Sequence, residues 1–282
     1  ENVIHLYFGI LILKEQKKIL EFTQSDVSNN LKKSKIAYDA KAISGYHLNV
    51  MNAESIKLDQ KITETNSQMK TLILNLGKII HRDLSERDVF SVPLQIPVNQ
   101  SINRPEYKLI LVQRALLQQQ NKLNSSRAIP KVLAFGQAGY SNPALNFLKD
   151  EFQTYYIAGL KLNWNISSLY NLKSDNRISK LNGSITELQE EAFLYKLNLE
   201  KTQQEVDADK FLILQGQDKQ LVFLLSKIKE ASKLQYENGS LTLSEYLKDL
   251  NAEEQARLNE VIHRISYLKS LYLNNNLYGN QQ

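Results

Sequence analysis

The chain has 282 residues, with 35 Lys and Arg against 30 Asp and Glu, for a formal charge of +5. That length suits one large domain or two ordinary ones. The two signs are interspersed, so the charges read as solvated helix faces rather than the concentrated basic patch of a nucleic-acid surface. Cysteine is absent, which excludes disulfides and thiolate metal sites; this suits a periplasmic protein, although many cytosolic proteins lack Cys too.

Only five Pro and ten Gly interrupt the chain, and the long stretches without either favour helix. The chain starts at Glu1, without an initiator Met or signal peptide, and inside what reads as a helix, so a fragment is expected. No run of about 18 apolar residues occurs, and Leu6 to Leu13 is too short to span a membrane and reads as helix core. From there Ile10, Leu13, Lys17, Leu20, Gln24, Val27, Leu31, Ser34 and Tyr38 fall at alternating steps of three and four. After a tight turn over 41–46, marked by Gly45, the same spacing returns at Leu48, Met51, Ser55, Leu58, Ile62, Thr65, Met69, Leu72, Leu76 and Ile79. This is coiled-coil spacing, and it predicts helices packed at shallow angles in long hairpins. Several seam positions hold Ser, Thr or Gln, as expected of a helical wall with water on one side.

An irregular linker is expected over 83–103, with Pro93 and Pro97. Asn103-Arg-Pro-Glu106 then restarts a helix, with Asn103 or Arg104 near the N-cap and Pro105 in the first turn. Heptads resume at Leu109, Val112, Leu116, Gln119 and Leu123, until Ala128-Ile-Pro130 ends that helix. A β-hairpin is predicted over 131–166. Its second strand, 155–166, alternates strictly: Ala158, Leu160, Leu162, Trp164 and Ile166 on one face, Gly159, Lys161, Asn163 and Asn165 on the other. The first strand, 131–140, alternates less cleanly, because Leu133 and Phe135 oppose Val132 and Ala134, and its apolar face stays undetermined. Two strands cannot bury such a face alone. Lipid and further strands could close it, as in a membrane β-barrel, or it could pack on helices as an ordinary edge.

A helix over 172–237 follows, on the order of 100 Å long at 1.5 Å per residue. Its seam runs through Ile178, Leu181, Ile185, Leu188, Ala192, Tyr195, Leu199, Thr202 and Val206. Asn182-Gly183 marks a potential bend, and Ser184-Ile-Thr-Glu187 has capping-box form. A turn at 238–242 precedes a final helix over 243–277. The chain also repeats itself: Lys35-Ile-Ala-Tyr38 returns as Lys233-Leu-Gln-Tyr236, 198 positions on, and Asn52-Ala-Glu54 as Asn251-Ala-Glu253, 199 positions on. A one-residue gap in the turn would reconcile the two offsets, and duplication explains the matched order.

These residues resemble the TolC-like outer membrane factors, the exit ducts of tripartite efflux pumps and type I secretion systems. The resemblance rests on Asn103-Arg-Pro-Glu106, on Pro130-Lys-Val-Leu-Ala-Phe-Gly-Gln-Ala-Gly-Tyr140, on Gly159-Leu-Lys-Leu-Asn-Trp-Asn-Ile166, and on Tyr236-Glu-Asn-Gly-Ser-Leu-Thr-Leu-Ser-Glu-Tyr-Leu247. The sequence departs from the family pattern at Asn165, where many members have Pro, and at Ser167-Ser168. The resemblance implies a mainly α fold with a β-hairpin: long antiparallel coiled-coil helices form an α-barrel tunnel, and the strands join a trimeric transmembrane β-barrel. Residues 1–82 are then a partial first repeat and 104–282 a complete second one. The implied partners are two further copies, a periplasmic adaptor, an inner-membrane transporter and outer membrane lipid.

On that reading Lys161, Asn163 and Asn165 face the lumen, while Leu160, Leu162 and Trp164 face lipid. Ser44, Gly45, Asn238, Gly239 and Ser240, in the two tight turns, lie at the periplasmic tip and contact the adaptor. Nothing points to catalysis, a cofactor or a metal. His5, His47, His81 and His263 are isolated and read as solvated helix residues, and the neighbouring carboxylates Glu190-Glu191 and Glu253-Glu254 point in different directions. The alternative is a soluble or periplasmic coiled-coil adaptor or scaffold, which would stay in the soluble fraction.

Overall fold

A computed structural model describes residues 1–94, 101–127, 129–148 and 150–279. Among them the order is α1 (Asn2–Asp39), α2 (Gly45–Ile80), α3 (Pro105–Arg127), β1 (Lys131–Ser141), β2 (Gln153–Asn163), α4 (Ser167–Glu237) and α5 (Leu243–Leu277). The expected linker over 83–103 falls partly outside the described residues, at 95–100. The chain divides into two compact units, one of 1–102 with 197–282, the other of 103–196.

In the first unit, α1, α2 and α5 close a core in two parts. One joins Phe8, Ile10 and Leu11 to Met69, Ile73, Leu76, Val261 and Ile265. The other joins Leu20 and Val27 to Met51, Leu58, Leu243, Tyr246, Leu247 and Leu250. Many of these are the heptad positions of α1 and α2, so that periodicity reads directly as packing. Polar seam residues are also inside: Ser34 and Thr65 are buried, as is Thr23 beside the seam, and the Gln24 amide donates to Asp59 Oδ1 at 2.8 Å and Ser55 Oγ at 3.3 Å. Phe90 docks the start of the linker on α1, where Lys14 donates to its carbonyl and Tyr7 to that of Ser91.

In the second unit, α3 lies along the first part of α4. The Tyr107 and Phe193 rings stack at 5.7 Å, Arg104 lies over Phe193, and Tyr107 and Arg114 both bond Glu190. Here the heptad prediction fails as a description of burial. Leu109, Val112, Leu116, Ile178, Leu181, Ile185 and Leu188 are all exposed, while Ser179 and Thr186 are buried. The contact between α3 and α4 runs along a different stripe from the apolar one, so the apolar stripe is unpartnered among the described residues.

α4 is unbroken. It passes through Asn182-Gly183 without a stop, and Thr186 donates back to the Asn182 carbonyl at 3.0 Å, as inside a continuous helix. It also starts at Ser167 rather than 172. Ser167 Oγ donates to Asn165 Oδ1 at 2.6 Å, so a three-residue step links strand to helix.

The two tight turns are superposable bond for bond. In the first, the N–H groups of Ala40, Lys41 and Ala42 donate to the carbonyls of Ile36, Tyr38 and Ala37. In the second, Asn238, Gly239 and Ser240 donate to Leu234, Tyr236 and Gln235, each pair shifted by 198 positions. The left-handed residue is Lys41 (φ 58°) in one and Gly239 (φ 74°) in the other, so Gly45 opens α2 rather than making the first turn. Ser44 and Thr242 are the matching N-caps. The turns therefore contain no gap, and the Asn-Ala-Glu identity at 199 is one residue out of structural register. The caps differ in chemistry. Thr242 and Glu245 form a complete capping box, whereas the Ser44 side chain makes no bond to the helix backbone.

The Thr242 hydroxyl and N–H, both donating to Glu245, hold its carboxyl below the ordinary value of 4.5. A depressed pKa adds stability above the unfolded value and loses it as pH falls through the folded one. Thr242→Ala is expected to cost about 1 kcal/mol at neutral pH. The difference from wild type in thermal melting should shrink below pH 4, while Ser44→Ala should change little at either pH.

Candidate functional site

The ribbon is built by β1 and β2, eleven residues each, paired antiparallel without a bulge from Lys131 opposite Asn163 to Ser141 opposite Gln153. Opposed residues share a face, so the register assigns the first strand. Val132, Ala134, Gly136, Ala138 and Tyr140 stand beside Leu162, Leu160, Ala158, Tyr156 and Thr154. That face carries no charge, and it is bare: Leu160 is 78% exposed and Tyr156 85%. Leu133 and Phe135 belong to the other face, with Lys131, Gln137, Lys161 and Asn163.

The polar face fills its glycines with rings. Phe135 lies over Gly159 and Tyr155 over Gly139, so closely that a Cβ would sit 2.9 Å and 2.8 Å from ring atoms. Each pair is a cross-strand partner, and the rings cover backbone that glycine leaves bare. Tyr140 stacks on Phe152 at 5.4 Å where the strands end. Eleven residues extend roughly 36 Å, or about 25 Å across a membrane at the usual barrel tilt of about 45°.

The second strand ends at Asn163, not at Ile166 as predicted. Trp164 and Asn165 thus lie past the last rung, and strand alternation no longer assigns either to a face. Leu160, Leu162, Lys161 and Asn163 stay in the ladder.

At the two turns, a groove of about 720 Å³ runs between the hairpin ends, lined by residues that include Lys33, Ile43, His47, Glu237, Gly239, Ser240 and Glu245. Of the five tip residues picked from sequence, Gly239 and Ser240 line it. Ser44, Gly45 and Asn238 do not: Ser44 faces His47 at 3.3 Å, and Gly45 lies against the Tyr38 ring. Sequence reasoning missed Lys33 and Glu237, which pair at 3.2 Å across the groove. Further along, Asn30 donates to the buried Tyr246 hydroxyl, Asn251 donates to Glu54 at 3.0 Å, and Lys61 pairs with Glu254 at 2.7 Å. Burial pushes the Tyr246 hydroxyl above its ordinary pKa of 10.0, keeping it neutral.

Glu253 and Glu254 do diverge: Glu253 meets Lys229 and Arg257, while Glu254 meets Lys61 on α2. His263 corrects the expectation of four solvated histidines. It is mostly buried, 2.6 Å from Asp218, beside the Phe211 ring. His81 closes α2 in a left-handed conformation. Among the described residues no three His, Asp or Glu side chains converge as a metal site, and no helix is long and apolar enough to cross a membrane.

No family model and no curated protein matches the chain in sequence. Solved structures match in fold. The CmeC outer membrane channel of Campylobacter jejuni aligns over 99% of this chain and 61% of its own, at 16% identity and a TM-score of 0.71. The outer membrane protein VceC of Vibrio cholerae aligns over 99% and 69%, at 12% identity and a TM-score of 0.78. The MtrE outer membrane channel of Neisseria gonorrhoeae, in its open state, aligns over 99% and 66%, at 13% identity and a TM-score of 0.62. The chain thus spans less than two thirds of CmeC. Long heptad helices, an unbulged two-faced ribbon and these alignments agree: this chain has the fold of the TolC-like outer membrane factors.

Proposed function

We propose that the chain is part of an outer membrane channel that passively conducts substrates, as the exit duct of a tripartite efflux pump or type I secretion system. The observation that carries this reading is the ribbon: one uncharged face uncovered by protein, the other with all its lysines and side-chain amides. Hydrocarbon on one side and water on the other meet the needs of both faces at once. In a trimer each ribbon would form part of a shared barrel wall, with Leu160 and Leu162 toward lipid and Lys161 and Asn163 toward the lumen. Trp164 fits the interface, where an amphipathic ring is favoured. A hydrated duct needs no catalytic group, and the energy would come from an inner-membrane transporter through a periplasmic adaptor.

The hairpin ends fit the adaptor contact and the gate. Gly239 and Ser240 line an open groove that could receive a helical hairpin. Splaying of the hairpins would have to break Lys33–Glu237, Asn251–Glu54 and Lys61–Glu254, which are polar links that water can replace.

Fractionation tests the reading. The protein is expected in outer membranes, extracted by mild detergent as a trimer that conducts ions in planar bilayers. Recovery as a soluble monomer would instead favour a coiled-coil scaffold.

A further inference from the structure

We propose that the ribbon makes the barrel anion-selective, through Lys131 and Lys161. The inference rests on the channel reading and deepens it by naming the charge class of cargo that passes most readily. Both lysines are exposed on the polar face, in adjacent rungs of that face, because Lys131 opposes Asn163 and Lys161 opposes Leu133. Neither makes an ion pair among the described residues. Neither strand contains an Asp or Glu. The nearest carboxylates in the hairpin, Asp150 and Glu151, lie beyond the far rung, and Asp150 already accepts from Asn142. From Lys161 to Gln153 is roughly 26 Å of extended strand, against a Debye length of about 8 Å at physiological salt, so those acids do not neutralise the lysines.

Three copies would place about six ammonium groups around one level of the lumen. Low-dielectric walls focus such a field, and rings of Lys or Arg favour anions in pores. The Phe135 ring, seated over Gly159 on the next rung outward, adds an apolar ledge beside the charge. Charge and ledge together fit organic anions with an apolar body.

The test is the reversal potential of the full-length protein in planar bilayers under a KCl gradient. Wild type is expected to prefer chloride over potassium by about two-fold or more. Lys131→Gln with Lys161→Gln should abolish the preference, Lys131→Glu with Lys161→Glu should invert it, and Lys161→Arg should keep it. Conducting trimers that prefer cations, or whose selectivity ignores both lysines, would overturn this inference alone. A correctly folded trimer without any conductance would overturn the channel reading and this inference with it.

Discussion

Ala158→Arg should, on the channel reading, prevent assembly in the outer membrane. Ala158 sits opposite Gly136 on the central rung of the ladder, on the uncharged face. A guanidinium at the midplane of a barrel wall costs about 2–4 kcal/mol, and a trimer would incur it three times. Mature trimers in the membrane fraction should fall below detection. Ile157→Arg, one residue away on the polar face, should still assemble, because its head group reaches water. Equal failure of both variants would mean that the ribbon has no lipid side. Equal tolerance would return it to an ordinary solvated hairpin.

Lys61→Ala should loosen the packing of α2 against α5. Glu254 is 2% exposed, and Lys61 is the cation that reaches it. Deleting one partner of an enclosed pair typically costs about 3–5 kcal/mol; Lys61 is itself half in water, so about 2 kcal/mol is expected here. The melting temperature should drop, and on the channel reading a bulky hydrophilic antibiotic should enter cells more readily. Lys61→Met combined with Glu254→Leu should recover much of the stability, since it removes the buried charge together with its partner. Failure of that recovery would place the loss in packing rather than charge.

Much of the helical layout was legible because it is local. Met51, Leu58, Thr65 and Met69 repeat at heptad spacing, and they are buried. Pro105 announced its helix start through chemistry contained within one turn. Along α4 the same spacing marks an apolar seam, Ile178, Leu181 and Ile185, that no described helix covers. Periodicity states that a stripe should be covered, not which helix covers it. Gly45 misled for a related reason. Glycine tolerates a left-handed turn without requiring one, and Lys41 takes that conformation instead.

Residue order alone predicts long heptad helices and one two-stranded ribbon, and gives the second strand a polar side and an apolar one. Folding was needed to show which side of the first strand joins the apolar face, and which charges tie the hairpins together. It also decided that the two tight turns match at 198 positions rather than with a gap. The reason is the range of the forces involved. Helix and strand periods are set by neighbours a few residues apart, whereas the Val132–Leu162 rung and the Lys61–Glu254 pair join residues that meet only when the chain has folded.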